Sequence, residues 1–167
     1  MLEPLHSHLV ALVLLQLLAY APAVEQTVSI PNLITEVTTL LLPLMQLTTW
    51  GDYDRDPRWR VITTSYLALV EGNIPVKAGD DAADAVWFQV KLEQECQEED
   101  GKRTVWNLKL ANQERNLHIG AKVEITKSGH KLLEQEHYKL LESNMIAADH
   151  GCLILQAMLY LKCRLEK

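Results

Sequence analysis

The stretch Trp50-Gly-Asp-Tyr-Asp-Arg-Asp-Pro-Arg-Trp-Arg60, running directly into Val61-Ile-Thr-Thr-Ser-Tyr-Leu-Ala-Leu-Val70, decides how this chain is read. Its first part crowds ionisable groups around an Asp-Pro step. Its second part is β-branched and aromatic and stops at Gly72-Asn73. Proline fixes φ and punctuates a turn, whereas β-branched side chains suit a pleated surface. Together they predict a charged loop between a strand over 45–50 and a buried strand over 61–71.

On the carboxyl-terminal side, runs of β-branched and aromatic residues predict strands over 84–90, 104–111, 119–127 and 134–141, with turns at Asp100-Gly101 and Ser128-Gly129. The acidic, polar segment 93–101 reads as an exposed loop or hairpin end. A helix is expected over 147–166. Ile146, Leu153, Ile154, Ala157, Met158, Leu161 and Leu165 recur at three- and four-residue steps and form one apolar stripe. Lys162, Arg164 and Lys167 suit the negative pole at its end.

On the amino-terminal side the sequence changes character. All 16 Lys and Arg residues lie at or beyond Arg55. The apolar run 9–19, broken by Gln16 and followed by Ala19-Tyr-Ala21 and Ala21-Pro-Ala23, has the outline of a signal peptide over 1–23, although Glu3 is present and Lys and Arg are absent. The other reading makes these residues elements of the domain. The run is shorter than the roughly 20 residues of a membrane span. The chain therefore divides into a rearranged amino-terminal part, 1–43, and a domain remainder, 44–167.

A chain of 167 residues with 48% hydrophobic and 23% charged residues is long enough to bury a core of its own. The net charge of -6 argues against a nucleic-acid partner, because phosphate-backbone affinity comes from clustered Lys and Arg. No membrane partner is expected. Cys96, Cys152 and Cys163 show no metal-ligand spacing; Cys152 and Cys163 read as buried, reduced thiols, which suits the cytoplasm. Secretion is the alternative if 1–23 is a signal peptide. P-loop, dinucleotide-binding and zinc signatures are absent from the sequence.

Four motifs then carry a resemblance. Gln46-Leu-x-Thr-Trp-Gly-Asp52, Arg55-Asp-Pro-Arg58 with its Val-Ile-x-x-Ser-Tyr-x-Ala-Leu-Val strand, Ala78-Gly-Asp-Asp-Ala-x-x-Ala-x-Trp-Phe88 and Glu142-Ser-x-x-Ile-Ala-x-Asp149-His150-Gly are similar to the second half of a Nudix domain. The branch resembled handles ADP-ribose-like dinucleotides and includes regulators of NAD metabolism. The resemblance implies one α/β domain of the α+β kind: a Nudix-like α/β/α sandwich with a mixed, curved sheet and helices on its faces. It also implies Mg²⁺-dependent cleavage of a nucleoside diphosphate derivative and, by analogy, a homodimer. The regulators continue into a winged-helix DNA reader beyond the point where this sequence stops, so a DNA-binding repressor is not expected.

The catalytic box of that family departs most from its pattern here. Aligned backward from Gln46, Glu36 falls on the last box glutamate, but Thr35, Asn32 and Ala23 fall on other glutamates, Pro31 on the arginine and Leu17 on the opening glycine. Glu36 is thus the single candidate metal ligand, or else a solvated polar residue. Mg²⁺ is held weakly by one carboxylate, so catalysis is expected to be impaired. The candidate ligand contacts are Arg55, Asp56, Arg58 and Arg60, whose guanidinium groups fork onto phosphate or form a surface salt-bridge turn. Trp50 is a candidate for stacking on a base or for the core, and Asp80 and Asp81 are acidic site groups or turn residues. Three functions remain open: a feeble hydrolase, a nucleotide-binding module, and a non-functional relative whose box was replaced by a shifted reading frame.

Overall fold

The computed structural model describes residues 17–20, 44–52, 61–69, 86–98, 101–130, 132–146 and 149–166. The chain divides into two compact units, Met1–Pro75 and Val76–Lys167. It belongs to the general α+β class. Every described strand pairing is antiparallel, so the expected mixed sheet is replaced by two antiparallel sheets with one helix among the described residues.

The first unit holds β1 (Leu17–Tyr20), β2 (Leu44–Trp50) and β3 (Val61–Ala68), in the order β1-β3-β2. Leu17 pairs with Thr64 and Tyr20 with Val61. β2 and β3 form a ladder from Leu44↔Ala68 to Trp50↔Thr63, interrupted by a bulge between Gln46 and Thr48. The alternation along β3 is not the one its apolar residues suggest. Thr63, Ser65 and Leu67 are buried, whereas Ile62 is 38% exposed. Buried hydroxyls need partners; Ser65 Oγ donates to Thr48 O at 3.2 Å. The strand ends at Ala68, short of the expected residue 71.

The second unit is a meander of β4 (Gln89–Gln97), β5 (Arg103–Asn112), β6 (Leu117–Ser128) and β7 (Gln135–Asn144), followed by α1 (His150–Leu165). Its turns use residues that tolerate positive φ. Gly101 sits at φ 69°, donating its N–H to Glu98 O at 2.9 Å. Asn116 sits at φ 52° in the next turn, where Asn112 Oδ1 accepts the Arg115 N–H at 2.8 Å.

The expected strand over 84–90 is corrected by β4, which starts at Gln89 and runs to Gln97. Of the two readings of 93–101, the exposed hairpin end is the one observed, with its turn at Gly101. Glu, Gln and Lys are poor strand formers in isolation. On an edge strand their charges are tolerated, and they oppose pairing with other chains. β4 carries a bulge between Gln94 and Cys96, and β7, at the other edge, is irregular where it passes Lys122 and Val123. Both features blunt the edges further.

Cross-strand register sorts the side chains onto two faces. The rows Gln94–Trp106–Val123–Leu140, Leu92–Leu108–Ala121–Ser143 and Val90–Leu110–Ile119 make the apolar face. α1 packs on β6 and β7, with Leu153, Leu155 and Ala157 fully buried and Lys162 Nζ 5.3 Å from the Trp106 ring centroid. The expected helical stripe is therefore correct at Leu153, Ala157 and Leu161. It missed Leu155 and wrongly included Leu165, which is 64% exposed.

Of the two helix cysteines expected to be buried, Cys152 is buried and Cys163 is exposed, as is Cys96; all three are free thiols. Burial pushes the Cys152 thiol up to about 12, with nearby Asp149 adding to the shift. A thiolate is the reactive form. A maleimide added to the native protein should label Cys96 and Cys163 and leave Cys152 unmodified until denaturant is added, as peptide mass spectrometry will show.

Candidate functional site

Of the candidate ligand residues, Trp50 is described. It is half-buried at the end of β2, directly across from Thr63 on β3. Gly51 and Asp52, which follow it, are exposed. The ladder therefore brings together the two ends of the segment that carries Arg55, Asp56, Arg58 and Arg60. These four residues lie outside the described residues, as do Asp80, Asp81 and Glu36.

In the second unit, the sheet face opposite α1 is polar. Its rows are Gln89–Ala111–His118, Lys91–Lys109–Gly120–Asn144, Glu93–Asn107–Lys122–Glu142 and Cys96–Val105–Glu124–Lys139. Ion pairs cross between strands. Arg103 Nε donates to Glu124 Oε2 at 2.5 Å and its Nη1 to Glu98 Oε1 at 3.3 Å. Lys122 Nζ lies 2.8 Å from Glu95 Oε1 and 2.7 Å from Oε2, and Asn107 Nδ2 donates to the same carboxylate at 3.1 Å.

Glu93 is shared. Lys109 Nζ donates to its Oε2 at 2.5 Å and Lys91 Nζ lies 2.8 Å from its Oε1. Hydrogen bonds from Lys109 and then Lys91 hold the Glu93 carboxyl down at about 2. The hydrogen bond from Lys122 likewise lowers the Glu95 carboxyl, and the bond to Glu93 raises the Lys91 ammonium.

Where two small residues sit among long ones, the face sinks into an open depression of about 500 Å³. Ala111 and Gly120 are on its lining, with Gln89, Lys91, Lys109, His118 and Asn144. Gly120 is required by backbone approach, since a Cβ there would lie 2.6 Å from Leu108 O. Asn144 Nδ2 donates to His118 O at 3.2 Å, tying β7 to the start of β6. Sequence reading missed this depression: its polar residues are scattered over four strands and converge only through register.

Other titratable groups are accounted for by structure. Tyr138 donates to Glu136 Oε2 at 2.8 Å, and burial, followed by this carboxylate, drives its phenol well above the usual range. His137 Nε2 and Ser128 Oγ are 3.1 Å apart, but both residues are exposed at the turn end of the β6–β7 hairpin. Asp149 and His150, adjacent in sequence, form the start of α1, and Asp149 makes no side-chain cap. Among the described residues no three His, Cys, Asp or Glu side chains converge as a metal site, and no helix is long and apolar enough to cross a membrane.

Comparison of the chain with known protein families, with curated proteins and with solved structures finds no match in any of the three.

Proposed function

We propose that this chain is a Nudix-related module that binds an ADP-ribose-type nucleoside diphosphate derivative and hydrolyses it feebly at most. The observation that carries the reading is the β2–β3 ladder. It closes on Trp50 and Thr63, so the arginine-rich segment of the resemblance leaves and re-enters one edge of a single hairpin. A short segment held at both ends pre-organises its side chains, which reduces the entropy lost on binding. Arg55 and Arg58 supply forked donors suited to phosphate oxygens, Asp56 lies between them in the sequence and Arg60 follows, and Trp50 offers an aromatic surface at the hairpin end.

The chemistry of the donor set argues against an efficient metal site. Glu36 is the one carboxylate retained from the box pattern, and Asp80 and Asp81, in the resemblance's third motif, are acidic site groups or turn residues. Mg²⁺ requires several oxygens in near-octahedral geometry. No catalytic step is therefore assigned to a metal here. The three free thiols suit a reducing compartment such as the cytoplasm.

Exchanging Arg55 and Arg58 together for alanine should weaken ADP-ribose binding at least tenfold, about 1.4 kcal/mol or more, while leaving the circular dichroism spectrum unchanged. Equal affinity in the variant and the parent would remove the arginine segment from the site.

A further inference from the structure

The charge on the polar sheet face is uneven. Arg103 faces two carboxylates, Glu124 and Glu98. Lys122 pairs with Glu95, which also accepts from the Asn107 amide, and has Glu142 directly across on β7. Lys91 and Lys109, in contrast, are direct cross-strand partners and share the single carboxylate of Glu93. Like charges placed opposite one another on neighbouring strands repel. One carboxylate between two ammoniums leaves a surplus positive charge at this point of a chain whose net charge is -6.

That surplus borders the depression floored by Ala111 and Gly120. Each ammonium has three donors and directs one at Glu93, leaving donors for a second acceptor. Both lysine side chains reach solvent, at 72% and 59% exposure, so an anion enters without displacing protein groups. His118 and Gln89 stand on the neighbouring row, and Asn144 continues the lysine row across Gly120. The small side chains at positions 111 and 120 provide the room.

We propose that this depression binds a phosphate dianion, free or as a terminal phosphomonoester, on the Lys91–Lys109 pair beside Glu93. This is a second site in the other unit, separate from the arginine segment of the proposed function. An ADP-ribose-type ligand carries its phosphates internally and lacks the terminal dianion that the depression suits.

The test is a heteronuclear NMR titration of the full chain with inorganic phosphate and, separately, with O-phosphoserine, at constant ionic strength set by chloride. Saturable amide shifts centred on Lys91, Lys109, Ala111, His118 and Gly120 are expected. Tighter saturation by O-phosphoserine would assign the site to a phosphate carried on a larger molecule, and tighter saturation by inorganic phosphate to the free ion. The pair Lys91→Gln and Lys109→Gln should raise the apparent Kd at least tenfold with the spectrum otherwise retained. Lys139→Gln, on the same face but away from the depression, should leave it unchanged. Linear shifts with both probes, or saturation that survives loss of both lysines, would overturn the site while leaving the ADP-ribose reading untouched.

Discussion

Leu153→Ala should lower the stability of the second unit by about 3 kcal/mol, within the 2–5 kcal/mol spanned by buried leucine truncations. Leu153 is completely buried, so the change removes its transfer free energy and leaves a cavity between helix and sheet. For a unit of this size each kcal/mol moves Tm by about 4–8 °C, giving a drop of roughly 12–24 °C. Leu165→Ala provides the control. It is the same substitution in the same helix at a position 64% exposed, and should stay within about 0.5 kcal/mol of the parent. Urea unfolding followed by far-ultraviolet circular dichroism measures both. Equal effects would mean that α1 does not pack on the sheet through Leu153.

Gly151→Val should cost about 2–3 kcal/mol, even though valine is a better helix former than glycine. A Cβ at residue 151 would sit 2.5 Å from the Ala121 Cβ and 3.4 Å from Leu140 Cδ1. The first distance is far inside van der Waals contact. α1 must therefore shift off β6, and the strain exceeds the gain of several tenths of a kcal/mol from propensity. Gly151→Ala separates the two effects, because propensity alone predicts a gain of up to about 1 kcal/mol and packing predicts a loss. Pairing Gly151→Ala with Ala121→Gly removes the facing methyl and should recover most of that loss, a coupling seen only between residues in contact. Stabilisation by Gly151→Ala alone, measured by thermal unfolding, would place the helix farther from the sheet.

How far the sequence discloses this structure depends on what organises each element. β5 and β6 were legible because their β-branched and aromatic residues lie between turns with their own chemistry, such as Gly101 at φ 69° and Gly129 at φ 94°. β7, in contrast, has no β-branched residue and Tyr138 as its one aromatic, and was marked by the turn before it. β4 was not, because its stability comes from partners rather than from its own propensity. Glu93 and Glu95 read as loop residues until Lys109 and Lys122 are seen across the ladder. The burial pattern of β3 was hidden for a related reason. Thr63 and Ser65 take the buried face, leaving Ile62 partly exposed.

Periodicity located α1 but did not show where the sheet beneath it ends, so Leu165 and Cys163 were placed inside and are exposed. At the candidate ligand site, motif order identified the arginine segment, and the pairing of Trp50 with Thr63 adds that its two ends meet. The Lys91–Lys109 depression leaves no local signature in the sequence. It exists because Ala111 and Gly120 fall in adjacent rows of a particular register.

The most direct test of the proposed function is calorimetric titration of the full chain with ADP-ribose in the presence of Mg²⁺, with chromatographic analysis of the same mixture for AMP. A saturable heat of binding with little or no AMP is the predicted result. A flat trace would contradict nucleotide binding, and rapid stoichiometric release of AMP would contradict the loss of efficient catalysis.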